Sequence, residues 1–198
     1  MKFRRNELKV FFYFCPNTNH TMKSSQISPK FIFVSIAILI AALSRLFPHL
    51  PNFTPVAAIA LFGGAFLPDK RSAFLIPFAA MIISDLFLGF SASTFPVYFC
   101  FAFTVILGLA LREKVSVLSV AAASLLSSIV FFLATNLPVW YSSLSLYPNT
   151  LEGTMESYTA ALPFFSYTVA GDLFYTAILF SLFSVAQKNI PALVKSKV

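Results

Sequence analysis

Residues 56–67 read VAAIALFGGAFL, an apolar run of twelve residues, and whether this run crosses a membrane decides the topology of the whole chain. As a helix it would extend only about 18 Å, at a rise of 1.5 Å per residue. A bilayer core of about 30 Å requires about 20 apolar residues. The run is therefore either a short crossing or an element that enters the membrane and returns.

Five longer apolar runs surround this short one, and each is long enough to cross a bilayer as a helix. They occupy residues 31–47, 73–90, 95–111, 115–137 and 162–186. Prolines stand near their ends, where a helix tolerates them. One long connection, residues 138–161, separates the last two runs.

The basic residues decide whether the short run crosses. If it does, thirteen of the fourteen Lys and Arg residues lie on one side of the membrane and Arg45 alone lies on the other. If it does not, six lie on one side and eight on the other. Cytoplasmic loops are enriched in Lys and Arg. We therefore predict an all-α polytopic membrane protein with six transmembrane helices and both termini in the cytoplasm.

Composition agrees with a membrane protein, since 58% of the residues are hydrophobic and 11% are charged. The mean hydropathy is +0.82. The net charge of +7 comes from short basic clusters next to apolar runs, which suit anionic lipid headgroups. We therefore expect the lipid bilayer, and no nucleic acid, as a partner.

Residues 1–21 do not fit the six-helix plan, which divides the chain into this extension and a single transmembrane domain over residues 22–198. The apolar stretch 10–15 is too short for a signal peptide and has no small-residue cleavage site. Met22-Lys23-Ser24-Ser25 would be a natural start. We expect residues 1–21 to be a disordered or non-native extension.

The rare polar residues of the apolar runs gather at one predicted level, the outer half of the bundle. Ionisable groups inside a membrane are costly and usually mark a site or pathway. We expect Arg45 to pair with Asp172, directly or through a bound ligand, with Asp85 competing for the same guanidinium. The candidate substrate-binding residues are Arg45, His49, Asn52, Asp85, Asn136, Trp140 and Asp172.

Each of these residues also has a structural interpretation. Arg45 could extend to the outer headgroups, and His49 and Asn52 could be turn residues. Asp85 could hydrogen-bond near a helix end, and Trp140 could belong to the interfacial aromatic belt. Asp172 lies deepest, and for it a functional role or a structural ion pair is favoured over a solvated face.

Other chemistries have little support. Gly63-Gly64 is not followed by the Lys and Ser/Thr of a phosphate loop, and a G-x-S-x-G motif is absent. Cys15 and Cys100 lie far apart, one in the tail and one in an apolar run, so they suggest neither a disulfide nor a metal site. We expect no cofactor and no metal.

The run from Arg45 to Phe66, RLFPHLPNFTPVAAIALFGGAF, followed by Ile83-Ser-Asp85-Leu86, resembles a family of small bacterial membrane proteins of unknown function. That family is similar to the substrate-binding S components of energy-coupling-factor vitamin transporters. The resemblance covers roughly residues 22–185 and implies a multi-pass protein of the bacterial inner membrane. It further implies a bundle that captures a metabolite and docks on a transmembrane coupling subunit with ATPases.

In S components an A-x-x-x-A pattern on the first helix admits the coupling subunit, and Ala37 and Ala41 match it, although ordinary helix packing gives the same pattern. We predict the substrate-binding subunit of a small-molecule importer, not itself an enzyme, with residues 138–161 as a lid or a passive connector. The alternatives are a membrane enzyme using Asp85 and Asp172 on lipid-like substrates, or a scaffold. An importer should show an outer cavity and a small-residue face on the first helix left open for a partner. An enzyme should show paired carboxylates near a lateral opening to lipid, and a scaffold should show neither.

Overall fold

The computed structural model describes residues 28–91, 94–140 and 147–194, and within these ranges it is helical, with no strand. The six α-helices are α1 (Pro29–Leu43), α2 (Val56–Phe66), α3 (Lys70–Leu88), α4 (Thr94–Ala110), α5 (Val117–Thr135) and α6 (Leu151–Asn189). Single 3-10 turns continue α1 over Ser44–Leu46 and α4 over Leu111–Glu113, and another, Pro191–Leu193, follows α6. The predicted fold class is confirmed. Residues 1–21, predicted as an extension, lie outside the described residues.

Local sequence sets the helix starts. The side chains of Ser28, Asp69, Ser116 and Thr150 each accept a hydrogen bond from a backbone N–H of the first turn of the following helix. These residue types are the preferred N-caps because they satisfy donors that the helix leaves unpaired. Four of the six helices therefore begin at a position that their own sequence specifies.

Five helices are long and apolar enough to cross a membrane. Their outward faces carry large apolar side chains, as lipid would require. Among these, Ile40 is 64% exposed, Leu75 68% and Phe87 73%. A surface of this kind would be unfavourable in water but is compatible with hydrocarbon. The helices and their surface together indicate a membrane-embedded bundle.

The helix α2 reverses the chain direction although it has only eleven residues. At one end of the bundle, which we call the Phe66 end, the Phe66 ring at the end of α2 lies 4.3 Å from Phe183 near the end of α6. Phe33, near the start of α1, lies 5.7 Å from the same Phe183 ring. The bundle therefore begins and finishes at the same end. At the opposite end, the Arg45 end, the close of α1 meets the close of α3.

The same short helix is the centre of the bundle, because eight consecutive residues from Ala58 to Ala65 are buried. It packs against all five other helices. A Cβ added to Gly64 would lie 2.5 Å from the carbonyl oxygen of Val105, and one added to Gly108 would lie 2.5 Å from that of Leu61. The backbones of α2 and α4 thus touch, as small residues permit in membranes. Although α2 is shorter than a bilayer core is thick, it is surrounded by the other helices and not by lipid.

The prediction for residues 138–161 is wrong in part. Leu151 begins a helix of 39 residues that continues through Pro163 to Asn189, so α6 starts eleven residues before the predicted run. At 1.5 Å per residue it spans about 58 Å, well beyond a bilayer core of about 30 Å. Its first turns carry Glu152 and Glu156, and because these residues are charged, the segment did not form an apolar run in the sequence. Residues 141–146 of this connection lie outside the described ranges.

The added part of α6 is attached to α5. The Tyr158 hydroxyl donates to the carbonyl oxygen of Leu133 at 2.5 Å, and its ring lies 5.5 Å from that of Phe132. The Ser157 hydroxyl donates to the carbonyl oxygen of Asn136 at 2.8 Å. The beginning of α6 is therefore an extension of the bundle at the Arg45 end.

Candidate functional site

A network of ionic and hydrogen bonds joins α1, α3 and α4 at the Arg45 end. Nη1 of Arg45 lies 2.7 Å from Oδ1 of Asp85 and also donates to the hydroxyl of Ser84. The Tyr98 hydroxyl donates to Oδ2 of Asp85 at 2.8 Å. The side chains of Arg45 and Asp85 are only 13% and 10% exposed. Both carboxylate oxygens of Asp85 are therefore occupied, and Arg45 has a close counter-charge.

The deeper carboxylate, Asp172 on α6, is 4% exposed. Its Oδ2 accepts a hydrogen bond of 2.6 Å from the hydroxyl of Ser128 on α5. Of the two ways in which Asp172 was expected to couple with Arg45, the direct pairing is not formed, because Arg45 is paired with its competitor Asp85. In the part of the chain that the structure describes, no Lys, Arg or His nitrogen lies within 4.0 Å of Asp172. Asp172 is thus buried without a cationic partner.

Glycine brings α6 close to the loop before α2. A Cβ added to Gly171 would lie 3.0 Å from both the Phe53 Cα and the Thr54 backbone nitrogen. Nearby Asn52 adopts a left-handed conformation with φ of 61°, which Asn tolerates better than most side chains. Close packing and a tight turn together bring the loop over Asp172.

Two adjoining cavities lie between these elements. One has a volume of about 190 Å³ and the other about 170 Å³. Asn52, Val97, Phe131 and Thr168 line both of them. The larger cavity also reaches Asn136. The smaller cavity is also lined by Arg45, Asp172, Ser127 and Phe101, among others.

The predicted residues divide by these contacts. One or both cavities are lined by four of them, Arg45, Asn52, Asn136 and Asp172. Asp85 lies outside both linings and contacts Arg45 through the ion pair. His49 lies apart from both, exposed, with Nδ1 2.9 Å from the carbonyl oxygen of Leu50.

Trp140 also lies outside the lining of both cavities. Its Nε1 donates to the carbonyl oxygen of Ala134 at 2.7 Å, and its ring packs 5.6 Å from that of Phe95. The indole nitrogen therefore satisfies a carbonyl near the end of α5, and the ring joins α5 to the start of α4. These contacts are those of a structural residue.

The candidate partner-contact residues lie on the inner face of α1. Ala41 is 8% exposed and belongs to the core, while Ala37 is half-buried and packs against the same core. Ile36 and Ile40, on the outer face, are 52% and 64% exposed. The expected open face of small residues on α1 is therefore occupied by intramolecular packing.

Three hydroxyl residues that complete the site were not among the predicted residues, namely Ser84, Tyr98 and Ser128. Hydroxyl side chains are common in membrane helices, and a single sequence does not reveal which of them face a carboxylate. The positions one turn before or after an ionisable residue offer a weak signal. Ser84 precedes Asp85 directly, but Tyr98 and Ser128 lie on other helices.

Comparison with known proteins identifies the chain at the level of its family. No curated protein and no solved structure matches it. The similarity to S components of vitamin transporters is therefore without support from these comparisons. Residues 25–193 match the model of a family of unknown function, DUF6580, and the chain belongs to that family.

Proposed function

We propose that this protein is the ligand-capturing subunit of a small-molecule importer, with its binding site in the two cavities at the Arg45 end. The observation that carries the proposal is the gathering of Arg45, Asn52 and Asp172 around one cavity inside an apolar bundle. Ionisable side chains at such a position are expensive and are retained where they bind or conduct. Concave sites with apolar walls and few polar groups are typical of small-molecule binding.

The distribution of charge supports an outward-facing cavity. Six basic residues belong to the Phe66 end, namely Lys30, Lys70, Arg71, Arg112, Lys114 and Lys188. Of the described Lys and Arg residues, Arg45 alone belongs to the other end, where Glu152 and Glu156 also lie. By the positive-inside rule the Phe66 end would be cytoplasmic. Cysteine substituted for His49 should then react with an impermeant thiol reagent from outside cells, and cysteine at Lys188 should not.

Capture has more support than catalysis. A membrane enzyme using Asp85 and Asp172 would need the two carboxylates to act on one substrate. Asp85 is instead held by Arg45 and Tyr98, whereas Asp172 faces a cavity whose lining does not include Asp85. A scaffold would have no need of a buried carboxylate beside a cavity.

The proposal includes a separate energy source, because the sequence carries no phosphate-binding loop of its own. An ATP-driven partner would contact a surface other than the Ala37–Ala41 pair, since Ala41 is buried. The exposed helix faces are rich in Ile, Leu and Phe and would suit another membrane subunit.

The decisive experiment is native mass spectrometry of the purified chain, which should detect a co-purified small molecule. Thr168 is 6% exposed and lines both cavities, so Thr168→Phe should fill them and remove the ligand. The matched control is Thr159→Phe, since Thr159 is an exposed residue of the same helix. A folded Thr168→Phe protein that retains the ligand, or a wild-type protein that never carries or binds one, would refute the proposal.

A further inference from the structure

The chemical class of the ligand can be inferred from the charges around the smaller cavity. Arg45 lines it but carries its counter-charge with it, since Asp85 lies 2.7 Å away. Asp172 lines the same cavity with no cationic nitrogen within 4.0 Å among the described residues. The charged groups at the cavity wall therefore leave one carboxylate, that of Asp172, without a counter-charge. An anionic ligand would be repelled by it, and a neutral ligand would leave it without a counter-charge.

A hydroxyl group in this cavity lacks a hydrogen-bond partner among the described residues. Ser127 is 2% exposed, lines the cavity, and has a buried hydroxyl oxygen without a hydrogen-bond partner in the described part of the chain. It is adjacent to Ser128, which donates to Asp172. A buried hydroxyl without a partner is destabilising. An N–H donor from a ligand would satisfy it at the same level as the carboxylate.

The rest of the wall is mainly apolar and partly aromatic. Phe101, Phe131, Val97 and Val56 contribute to it. Aromatic rings beside a carboxylate form a favourable environment for an organic cation, because the ring faces attract positive charge. The two phenylalanines can also accommodate a flat or cyclic body attached to the cation.

We propose that the ligand is a small protonated amine with an apolar body, its ammonium group bound by Asp172 and Ser127 and its body packed on Phe101 and Phe131. This inference rests on the proposed capture function and specifies its substrate class. A cation restores neutrality to the buried carboxylate, which is the condition under which such a group is tolerated in a membrane.

The test uses three probes of nearly one shape and three charges: phenethylamine as the cation, 2-phenylethanol as the neutral analogue, and phenylacetate as the anion. Each is titrated near neutral pH into the full chain in lipid nanodiscs, with heat or intrinsic fluorescence as the signal. We expect the cation to bind at least about tenfold more tightly than either analogue, as a charge-assisted contact should ensure. Because the comparison is made on the unaltered protein, it does not depend on whether a variant folds.

Asp172→Asn should remove the preference for the cation, and the control Glu152→Gln, at an exposed acid of the same helix, should keep it. Equal binding of the three probes, preference for the anion, or no binding of the cation would each overturn the inference. The ligand found by native mass spectrometry shows whether only the amine inference has failed or the proposed capture function as well. A co-purified neutral or anionic molecule, lost in Thr168→Phe, would preserve capture and refute the amine.

Discussion

The two ends of the bundle each contain a partly buried arginine, and these arginines have different kinds of partner. Arg45 pairs with a carboxylate, Asp85, beside a cavity. Arg112 instead donates to backbone carbonyls at the end of α2, with Nε 2.8 Å from the Gly64 oxygen and Nη2 2.7 Å from the Leu67 oxygen. The carbonyls that end a helix are unpaired and carry partial negative charge, so a cation suits them.

The two kinds of partner indicate a structural role for Arg112 and a role beside the candidate site for Arg45. The partners of Arg112 are backbone atoms, which remain whatever the side chains are, so its contacts fix the end of the central helix. The partners of Arg45 are side chains, which can be replaced or protonated, and Arg45 itself belongs to the cavity wall. The contacts of Arg112 are thus structural, whereas those of Arg45 lie beside the candidate site. Four substitutions test this comparison.

The largest effect is expected from Asp85→Asn, which leaves Arg45 without a counter-charge in a poorly solvated site. Removing one partner of a buried pair is strongly destabilising, and we expect a loss of about 3 kcal/mol in the free energy of unfolding. The double variant Arg45→Gln/Asp85→Asn should recover about 1 kcal/mol or more, because it removes the unpaired charge. Denaturant unfolding in micelles measures both, with Glu152→Gln as the control. A double variant no better than the single would contradict the pairing argument.

Next in size is Gly108→Ala, which tests the contact of α2 with α4 that holds α2 in reach of Arg112. The new Cβ would lie 2.5 Å from the Leu61 oxygen and 2.9 Å from the Gly64 Cα. Overpacking of this kind costs about 2 kcal/mol, whereas alanine's better helix propensity would give about 1 kcal/mol in the opposite direction. Thermal unfolding should therefore show net destabilisation, while Ala110→Val, at an exposed position of the same helix, should change little. A stabilised Gly108→Ala protein would show that the helices do not touch.

A smaller effect is expected from Arg112→Lys, which keeps the charge but loses the planar group that contacts several carbonyls at once. Lysine and arginine are not equivalent at such a site, and we expect a loss of about 1 kcal/mol. The same change at exposed Arg71 is the matched control. If both changes are equally silent, the contacts of Arg112 do not stabilise the end of α2.

Much of the fold could be predicted because it depends on lengths and charges. Apolar runs gave five long helices, and the distribution of Lys and Arg predicted that α2 reverses the chain, as it does. The early start of α6 was missed because residues 151–161 carry Glu152 and Glu156 and form no apolar run. Their helix depends on the Thr150 cap and on tertiary contacts such as the hydrogen bond of Tyr158 with Leu133.

The sequence predicted how far along their helices the site residues lie, but not which helices face each other. Position along a helix follows from residue number, so Arg45, Asp85 and Asp172 were correctly assigned to one part of the bundle. Which helix faces which depends on how the bundle closes, and the sequence alone did not reveal that Asp85 is closer to Arg45. For the same reason the roles of Tyr98 and Ser128, on other helices, were not anticipated.

The smallest effect is expected at the Phe66 end, from the acid that begins α3. Oδ1 of Asp69 accepts from the Ser72 backbone N–H at 2.8 Å and Oδ2 from the Ser72 hydroxyl at 2.7 Å. These bonds, the backbone one first, lower the pKa of Asp69 below its usual 3.8. A lowered native pKa means that the carboxylate contributes stability above pH 3.8, and that this contribution is lost as the pH falls below that value. Because Asp69 is exposed, the change should be small.

Thermal unfolding from pH 6 to pH 3 measures this loss against Asp69→Asn. Asparagine is as good an N-cap but does not titrate. The difference in melting temperature between the two proteins should be constant near neutral pH and should shrink as the wild-type carboxylate becomes protonated. A difference that stays the same down to pH 3 would show that the Asp69 charge contributes nothing. The stability of the Phe66 end would then come from backbone contacts such as those of Arg112, independent of any titrating side chain.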